Sequence, residues 1–425
     1  MAEITPVKDQ ITADVLVVGG GIAGLTSAIE TAEVGKQVIL LEKEPSLGGR
    51  VAAMYQYFPK MCPPTCGIEI NLKRIRSNPN IRVLTLADID DITGEPGNLE
   101  VKITLNPRYV NEKCTGCGEC EAACDIERVS KFDHGMCKTK AIYIPHLMAY
   151  PARYVIDPEF AREEGMKKVA DACSYGAIDL DMQPQKVTAK VGGIVWATGW
   201  RPYDANKLDN LGFGKIKNVI TNVMMERLAA PAGPTKGEVK RPSDNGDIKS
   251  IGFVQCAGSR DENHLPYCSA ICCLASMKHA TYIRERYPEA EIHMFYIDVR
   301  SPGRLEDFYV ARQEDAKMHF HRGKVAKIVE NPANGNVILH AENTLTGEMQ
   351  KMEVDMAVLA TGMVPNTVDS PPPLQTRLDD FGFIAPDNNN GIFGAGVASR
   401  PSDVSCANMD ATGAALKALN CGVRR

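Results

Sequence analysis

The sequence lacks long apolar runs and a surplus of positive charge. Its apolar stretches are strand-length, far short of the roughly 18 to 20 residues that a helix needs to cross a bilayer, so we expect no membrane span. The N-terminal residues Met-Ala-Glu-Ile-Thr-Pro contain no basic region followed by an apolar one, so we expect no signal peptide and a cytoplasmic protein. The net charge of −5 gives no indication of nucleic-acid binding.

Cysteine, in contrast, is abundant. The 425 residues include 14 cysteines. In a cytoplasmic protein, so many thiols are metal ligands or free rather than disulfides. Eight of these cysteines fall into two compact groups whose spacing suits iron–sulfur clusters. This pattern predicts one-electron chemistry.

The first group has the spacing of a bacterial ferredoxin motif, and the fourth thiolate of such a run normally serves a neighbouring cluster. We therefore expect the last ligand to be Cys173, which lies in a segment similar to the tail of a second ferredoxin motif. The rest of that second motif is missing, so Cys124 is left without a cluster. A zinc knuckle or a disulfide pair is the alternative. The predicted ligands of the single cluster are Cys114, Cys117, Cys120 and Cys173.

A dinucleotide-binding fingerprint, G-x-G-x-x-G, lies near the N-terminus between an apolar strand and an Ala-rich helix. Gly19 allows the turn, Gly21 admits a pyrophosphate, and Gly24 lets the helix pack closely on the strand. Glu42 ends a second strand about 20 residues further on and should bind the adenosine ribose hydroxyls. The neighbouring residues predicted to contact the nucleotide are Ile22, Ala23 and Lys43.

Further segments favour FAD as the nucleotide. Gly48, Gly49 and Arg50 are similar to the second pyrophosphate contact of flavoproteins with two dinucleotide-binding domains. In these flavoproteins an aspartate usually follows the late glycine-rich strand, and this sequence has Val397 there. A helix beginning near Asp403 would direct its positive N-terminal end at the reduced flavin. Two Ala-Thr-Gly strand ends and a late glycine-rich strand add the predicted contacts Ala197, Thr198, Gly199, Thr361, Gly362 and Gly396.

The second dinucleotide domain of this class normally binds NAD(P)H. A strand at 250–255, a helix at 274–286 and a strand at 291–297 predict the corresponding βαβ unit. Its turn carries cysteines in place of a second glycine fingerprint. Because adjacent cysteines do not suit a zinc-finger loop, we interpret them as a second cluster cradle; buried free cysteines are the alternative. The cradle residues are Cys256, Cys268, Cys272 and Cys273.

This combination of an FAD domain, a ferredoxin insert and a Cys-Cys cradle resembles the A-type subunit of heterodisulfide reductase over nearly the whole chain. The resemblance implies an α/β fold with two dinucleotide-binding domains, like thioredoxin reductase, and an inserted ferredoxin-like domain. It also implies that the four cradle cysteines ligate a cluster beside the flavin. The expected cofactors are FAD and two [4Fe-4S] clusters.

With 425 residues and a half-degenerate ferredoxin insert, the sequence looks most like the A-type subunit of the quinone-interacting membrane-bound oxidoreductase complex of sulfate reducers. That resemblance implies electron flow between a membrane quinone pool and adenylylsulfate reductase. The expected partners are a quinone-interacting membrane subunit, which holds the protein at the inner face of the membrane, and a second flavin/iron–sulfur subunit. The alternatives are an NAD(P)H-dependent or bifurcating oxidoreductase and a scaffold that passes no electrons.

Some residues have no assigned role. Cys62 and Cys66 are thiols near the flavin, ligands of a cluster shared with a partner chain, or structural cysteines. Cys124 and Cys137 are unassigned. His264 could ligate a metal or protonate the flavin, but a loop histidine without such a role is the simpler interpretation.

These motifs predict the domain organisation. FAD-binding segments are expected at 1–105, 183–247 and 353–425. The ferredoxin-like insert is expected at 106–182, and the second α/β domain with the cysteine cradle at 248–352.

Overall fold

The structure is a computed structural model that describes residues 9–423. Its strands are β1 (Gln10–Val18), β2 (Val38–Glu42), β3 (Ile81–Thr85), β4 (Ala87–Glu95), β5 (Asn98–Leu105), β6 (Glu127–Val129), β7 (Lys138–Lys140), β8 (Ile142–Tyr143), β9 (Val155–Ile156), β10 (Gln185–Trp196), β11 (Trp200–Pro202), β12 (Val219–Thr221), β13 (Ser250–Ala257), β14 (Glu291–Tyr296), β15 (Met318–Arg322), β16 (Val325–Glu330), β17 (Val337–Glu342), β18 (Met349–Val354), β19 (Met356–Thr361), β20 (Met363–Pro365) and β21 (Ile392–Gly394). Its helices are α1 (Ile22–Glu33), α2 (Thr65–Ser77), α3 (Glu119–Ala123), α4 (Gly165–Asp171), α5 (Asn222–Ala229), α6 (Cys272–Arg286), α7 (Glu306–Gln313) and α8 (Val404–Val423).

The chain forms two units and passes between them several times. Within the described residues, the first unit comprises residues 9–52, Thr65–Trp200 and residues 365–423. The second unit comprises Ala53–Pro64 and Arg201–Val364. Each unit is therefore built from segments that are distant in sequence.

The first unit is built on a sheet with the order β3-β2-β1-β10-β5-β4, in which β21 also pairs with β10. β1 runs parallel to β2 and β10. Val15 and Val17 pack in the cluster that includes residues of α1 and α8, whereas Leu16 and Val18 pack on the opposite face. Because both faces are covered, the strand reads as a continuous apolar run. The carboxyl ends of β1, β2 and β10 meet at one edge, which is where such sheets bind ligands.

The insert lies between two strands of that sheet. The chain leaves after β5 and returns with β10, and the two strands pair antiparallel with Leu105 opposite Gln185. The insert contains two short antiparallel pairs, β6 with β7 and β8 with β9. Val110 forms a bridge to Ile178, which joins the two ends of the insert. A separate apolar core, which includes Met166, holds these elements together.

The second unit contains a parallel sheet with the order β12-β19-β13-β14-β15. The predicted βαβ unit is confirmed, because β13 and β14 are parallel and α6 connects them. Strands β16, β17 and β18 form a separate antiparallel sheet. Apolar residues of this small sheet, including Val337 and Leu339, share a core with Val254 and Phe295 of the parallel sheet.

Two strands differ from the expected arrangement. We expected the segments 183–247 and 353–425 to belong to the FAD-binding domain, but β12 and β19 lie in the sheet of the second unit. The reason is that β19, which is buried throughout, pairs with β12 on one side and β13 on the other. No helix within residues 9–423 is long and apolar enough to cross a membrane.

Candidate functional site

The fingerprint glycines form the turn between β1 and α1. Gly19 has φ +106, and a Cβ atom there would lie 2.4 Å from the carbonyl oxygen of Ala197. A Cβ atom on Gly24 would lie only 1.7 Å from the carbonyl oxygen of Gly19, so a larger residue at this position requires the backbone to move. α1 begins at Ile22, and its N-cap residue Gly21 makes no side-chain hydrogen bond. The N-terminus of α1 is thus free of a side-chain cap and suits a phosphate.

Glu42 lies at the end of β2 beside this turn. Its Oε2 accepts a hydrogen bond of 2.6 Å from the Gly20 amide, and its Oε1 accepts one of 2.8 Å from the Glu44 amide. Burial raises the pKa of Glu42 to about 7, although these backbone hydrogen bonds act in the opposite direction. A carboxylate oxygen accepts more than one hydrogen bond, so a ribose hydroxyl can still donate to it. The side chain of Lys43 is 74% exposed and lies 3.8 Å from Asp88.

The turn after β2 contacts the fingerprint. The amide of Gly48 donates to the Gly20 carbonyl at 2.9 Å. A Cβ atom on Gly49 would lie 2.7 Å from the Cα atom of the second fingerprint glycine. Arg50 donates through Nε to the Trp200 carbonyl at 2.5 Å, and burial lowers its pKa to about 10. The turn thus combines open backbone with a cation that stays charged at neutral pH, and both suit a pyrophosphate.

The first Ala-Thr-Gly segment follows β10. The Ala197 amide donates to the Val18 carbonyl at 2.7 Å, and Gly199 has φ +70. The Thr198 carbonyl accepts a hydrogen bond of 2.7 Å from Asn366. The Oγ1 atom of Thr198 is buried without a hydrogen-bond partner among the described residues. Because buried polar atoms are nearly always paired, this atom fits a bound polar ligand.

The late glycine-rich strand leads to Gly396. Its amide donates to Oδ2 of Asp410 at 2.8 Å, and a Cβ atom there would lie 3.0 Å from that of Ala23. Ser402, two residues before the start of α8, has a buried Oγ atom that no other part of the described chain contacts by a hydrogen bond. Asp410 was not predictable from the sequence, since it lies on α8, outside any motif.

The second Ala-Thr-Gly segment lies in the second unit. Thr361 ends β19, and its Oγ1 donates to Oδ1 of Asn222 at 2.9 Å. A Cβ atom on Gly362 would lie 2.3 Å from Oγ of Ser259, in the loop after β13. The structure therefore places Thr361 and Gly362 beside the cysteine loop of the second unit, because β19 belongs to the parallel sheet of that unit, whereas Thr198 belongs to the first unit.

Four thiols of the insert line one pocket, together with Tyr154. Burial, followed by the charges of the neighbouring thiols, raises the pKa of Cys120 to about 11. The amide of Ala177 donates to Sγ of Cys173 at 3.4 Å. Cys124 does not line the pocket, and its Sγ donates to the Ile126 carbonyl at 3.5 Å. The pocket cysteines are the four predicted ligands Cys114, Cys117, Cys120 and Cys173.

The other four thiols surround the turn between β13 and α6. Cys256 lies near the end of β13 with φ +56, Cys272 and Cys273 are the first residues of α6, and Cys268 lies in the intervening loop. Burial, and then the charges of the three other thiols, raises the pKa of Cys272 well above its ordinary value. All but Cys268 are buried. The structure therefore brings all four predicted cradle residues together.

Residues that the sequence analysis missed support this loop. The hydroxyl groups of Ser259 and Ser269 lie 2.9 Å apart in the interior. Arg260 donates to Oδ1 of Asp298 at 2.5 Å, and Arg300 lies 3.5 Å from the same carboxylate. The charge of Arg260 acts to lower the pKa of Cys256, and Arg300 acts to lower that of Cys273, but burial outweighs both and raises these pKa values. Serines and arginines in a loop form no recognisable motif, which is why the sequence did not reveal them.

The two groups of cysteines supply soft thiol donors. Within residues 9–423, no three His, Cys, Asp or Glu side chains converge closely enough to hold one metal ion. The four thiols of the insert line a pocket, and four soft donors around such a volume fit an iron–sulfur cluster with several corners. Both groups therefore have the donor chemistry that a cluster requires.

The remaining candidates are placed as follows. Cys62 and Cys66 are both exposed. The Sγ atom of Cys137 lies 3.4 Å from Oδ2 of Asp133. Nδ1 of His264 lies 2.8 Å from the hydroxyl oxygen of Tyr203, so this histidine has a structural partner. No disulfide joins any two cysteines of the described chain.

Comparison with known sequences decides the family. Residues 14–63 match the family model described as FAD dependent oxidoreductase. Over 434 residues, the chain is 39% identical to the second A-type iron-sulfur subunit of CoB--CoM heterodisulfide reductase from Methanopyrus kandleri, covering 98% of this chain and 66% of the relative. It is 36% identical over 417 residues to the A-type subunit of H(2):CoB-CoM heterodisulfide,ferredoxin reductase from Methanothermobacter marburgensis, covering 95% and 63%. The chain is a homologue of the A-type subunit of heterodisulfide reductase.

This finding confirms the predicted resemblance to the A-type subunit of heterodisulfide reductase. The heterodisulfide reductase homologue spans slightly less than two thirds of the length of these relatives. Solved structures show the same fold. Thioredoxin reductase of T. acidophilum superposes with a TM-score of 0.53 at 14% identity, covering 97% of this chain and 99% of the other. Thioredoxin reductase of Lactococcus lactis gives 0.51 at 13% identity, covering 97% and 100%. The predicted fold with two dinucleotide-binding domains is thus confirmed.

Proposed function

We propose that this heterodisulfide reductase homologue is an electron-transfer subunit that binds FAD and two [4Fe-4S] clusters. The fingerprint turn, Glu42, the Gly48–Arg50 turn and the orphaned Thr198 hydroxyl support FAD in the first unit. The two groups of four thiols support the clusters.

One observation carries the proposal. In a second dinucleotide domain, the turn between the first strand and its helix normally receives the pyrophosphate of the nicotinamide cofactor. Here Cys256 ends the strand side of that turn, and Cys272 and Cys273 begin the helix side, all three buried. A cradle in this position leaves no glycine-rich turn for a nicotinamide. The electrons therefore come from one-electron donors rather than from NAD(P)H.

The cofactors would supply the redox chemistry, FAD exchanging two electrons and each cluster one. The residues of the chain bind and orient these groups and set their electrostatic surroundings. The N-terminus of α6 and the cation of Arg260 offset the negative charge of the cradle thiolates. The glycines at 24 and 49 keep the backbone close to the bound nucleotide.

The proposed partners rest on the resemblance of the sequence to the A-type subunit of the quinone-interacting membrane-bound oxidoreductase. The chain would pass electrons between a quinone-linked membrane module and adenylylsulfate reductase, with a second flavin/iron–sulfur subunit in the same complex. It would then lie at the inner face of the membrane through these subunits. This partner assignment is tested separately from cofactor content.

The first experiment measures iron and flavin in the chain purified without oxygen. We expect about eight irons per FAD. Cys117→Ser and Cys272→Ser should each remove about four irons, because each changes a different group. A preparation without iron contradicts the proposal. Rapid bleaching of the flavin by NADH would instead favour the NAD(P)H-dependent alternative.

The second experiment tests the soluble acceptor. The chain is reduced with dithionite, freed of excess reductant, and mixed with oxidised adenylylsulfate reductase. Return of the flavin absorbance faster than in buffer alone supports the proposed acceptor. Return at the buffer rate contradicts this assignment. The names of the relatives suggest electron transfer to a heterodisulfide as the second candidate function. The same measurement with CoM-S-S-CoB and the catalytic subunits of a heterodisulfide reductase tests it.

A further inference from the structure

A histidine of the insert contacts the turn that follows β2. Nε2 of His146 lies 3.0 Å from the Leu47 carbonyl oxygen and 3.1 Å from Oγ of Ser46. The carbonyl oxygen can only accept, so we assign the hydrogen to Nε2. The imidazole ring stacks on Phe132 of the insert with a centroid distance of 5.6 Å. These contacts fix the ring from both sides.

The same turn also forms hydrogen bonds with the backbone of the insert. The Leu47 amide donates to the Tyr150 carbonyl at 2.9 Å, and the Tyr150 amide donates to Oγ of Ser46 at 3.2 Å. Ser46 and Leu47 are both buried. The insert thus holds two consecutive residues directly before the Gly48–Arg50 turn.

On its other side, this segment contacts the fingerprint. The Gly48 amide bonds to the Gly20 carbonyl, and Gly49 packs against Gly21. Gly48 has φ +122, and a Cβ atom there would lie 3.4 Å from Nε2 of His146. The residues that would meet the pyrophosphate therefore lie between the fingerprint on one side and His146 on the other.

A buried arginine joins the same region to the thiol pocket. Arg108 is 5% exposed, and its Nη2 donates to the Pro45 carbonyl and, at 3.0 Å, to Oγ1 of Thr85. Its Nη1 lies 3.4 Å from the carbonyl oxygen of Tyr154, and Tyr154 lines the pocket of the insert thiols. The insert is thus anchored to the sheet independently of His146. Loss of the histidine should leave the insert in place.

We propose that His146 is a positioning residue for FAD: it holds Ser46 and Leu47 so that the following glycines keep the conformation that receives the pyrophosphate. The inference rests on the proposed FAD site. It assigns to the insert a function in flavin binding that is separate from its thiols. Because His146 acts on backbone rather than on the flavin, its loss should weaken binding and leave the fold intact.

The test measures the dissociation constant of FAD by fluorescence titration of the flavin-free chain, prepared without oxygen. His146→Ala should weaken binding roughly three- to tenfold, the effect of one lost hydrogen bond. His146→Gln keeps a side-chain N–H for the Leu47 carbonyl and should bind nearly as well as the wild type. Leu147→Ala is the matched control, because this neighbouring side chain is 89% exposed.

Melting temperature and iron content are measured on each variant. Unchanged values for His146→Ala with weaker FAD binding support the proposal. FAD binding equal to the wild type overturns it, as does a lowered melting temperature that His146→Gln fails to restore. If the wild-type chain itself does not bind FAD, the proposed function fails. That result differs from one in which the wild type and His146→Ala bind FAD equally well.

Discussion

Nε2 of His279 lies 2.6 Å from Oε1 of Glu226 in the interior of the second unit. Nζ of Lys278 contacts the same carboxylate oxygen and also donates to the Gln56 carbonyl at 2.8 Å. Lys278 and His279 are each 1% exposed. Burial alone would raise the pKa of Glu226, but Lys278 and His279 outweigh it and lower that pKa to about 2. The carboxylate therefore stays charged in the interior.

The first prediction is that Glu226→Gln destabilises the protein by roughly 3 to 5 kcal/mol, because it leaves the Lys278 charge buried without a counter-ion. Unfolding in urea, followed by circular dichroism, measures the change. Glu289→Gln is the control, since this residue is 93% exposed and 3.9 Å from Lys317, and should change stability by less than about 1 kcal/mol. Equal stabilities of the two variants would contradict the prediction.

Features whose residues lie close together in the sequence were predictable, but the contact between Glu226 and His279 was not. The fingerprint and the βαβ unit each appear as a local pattern of glycines, apolar residues and cysteines. Glu226 and His279 lie on different helices, and a helical pattern shows only that a residue faces the interior. Which residue it meets depends on tertiary packing, so no sequence signal pairs them.

The second prediction concerns two neighbouring cysteines of the insert. Cys120→Ser should remove about four irons per chain, because its thiol lines the pocket. Cys124→Ser should retain them, since that thiol contacts the Ile126 carbonyl and lies outside the pocket lining. Iron analysis after anaerobic purification, with EPR of the reduced protein, compares the pair. Loss of iron from both variants would mean that Cys124 is also a ligand.

The limits of motif reasoning are visible at Thr361. The tripeptide Ala-Thr-Gly indicates that a strand ends, but it does not indicate which strand lies beside it. The same tripeptide can therefore end a strand of either sheet. The buried pairing of β19 with β13 decides the placement. Thr198, with the same tripeptide, lies in the other unit because β10 pairs with β1.

The third prediction follows from the raised pKa of Glu42, which is about 7 in the folded chain and 4.5 as the ordinary value. The native state then binds more protons than the unfolded state between these values, so its stability falls as pH rises from about 4.5 to 7. Glu42→Gln removes this dependence. Relative to the wild type, the variant should therefore gain up to about 3 kcal/mol between pH 5 and 8.

Urea unfolding of the flavin-free chain at the two pH values measures this gain. The comparison uses the difference between variant and wild type, so other titrating groups cancel. A difference that is the same at both pH values would show that Glu42 titrates normally. The two backbone hydrogen bonds of the carboxylate would then offset the effect of burial on its pKa.

The fourth prediction compares two helical glycines that have opposite surroundings. Gly24→Ala places a Cβ atom 1.7 Å from the Gly19 carbonyl oxygen, so backbone must move. The expected cost is roughly 1 to 3 kcal/mol or more, together with loss of FAD binding, because the displaced backbone forms the fingerprint turn. Gly413 lies within α8 with nothing near its would-be Cβ atom. Gly413→Ala should stabilise the protein by roughly 0.5 to 1 kcal/mol, since alanine favours the helix.

Thermal unfolding and FAD titration of both variants test this contrast. The same substitution in the same kind of element should change stability in opposite directions, since helix propensity favours alanine at both sites and only the steric contact differs. If Gly24→Ala retains FAD with wild-type affinity, the turn does not require a glycine at this position. The fingerprint would then be a structural feature of the strand–helix junction and not the nucleotide site.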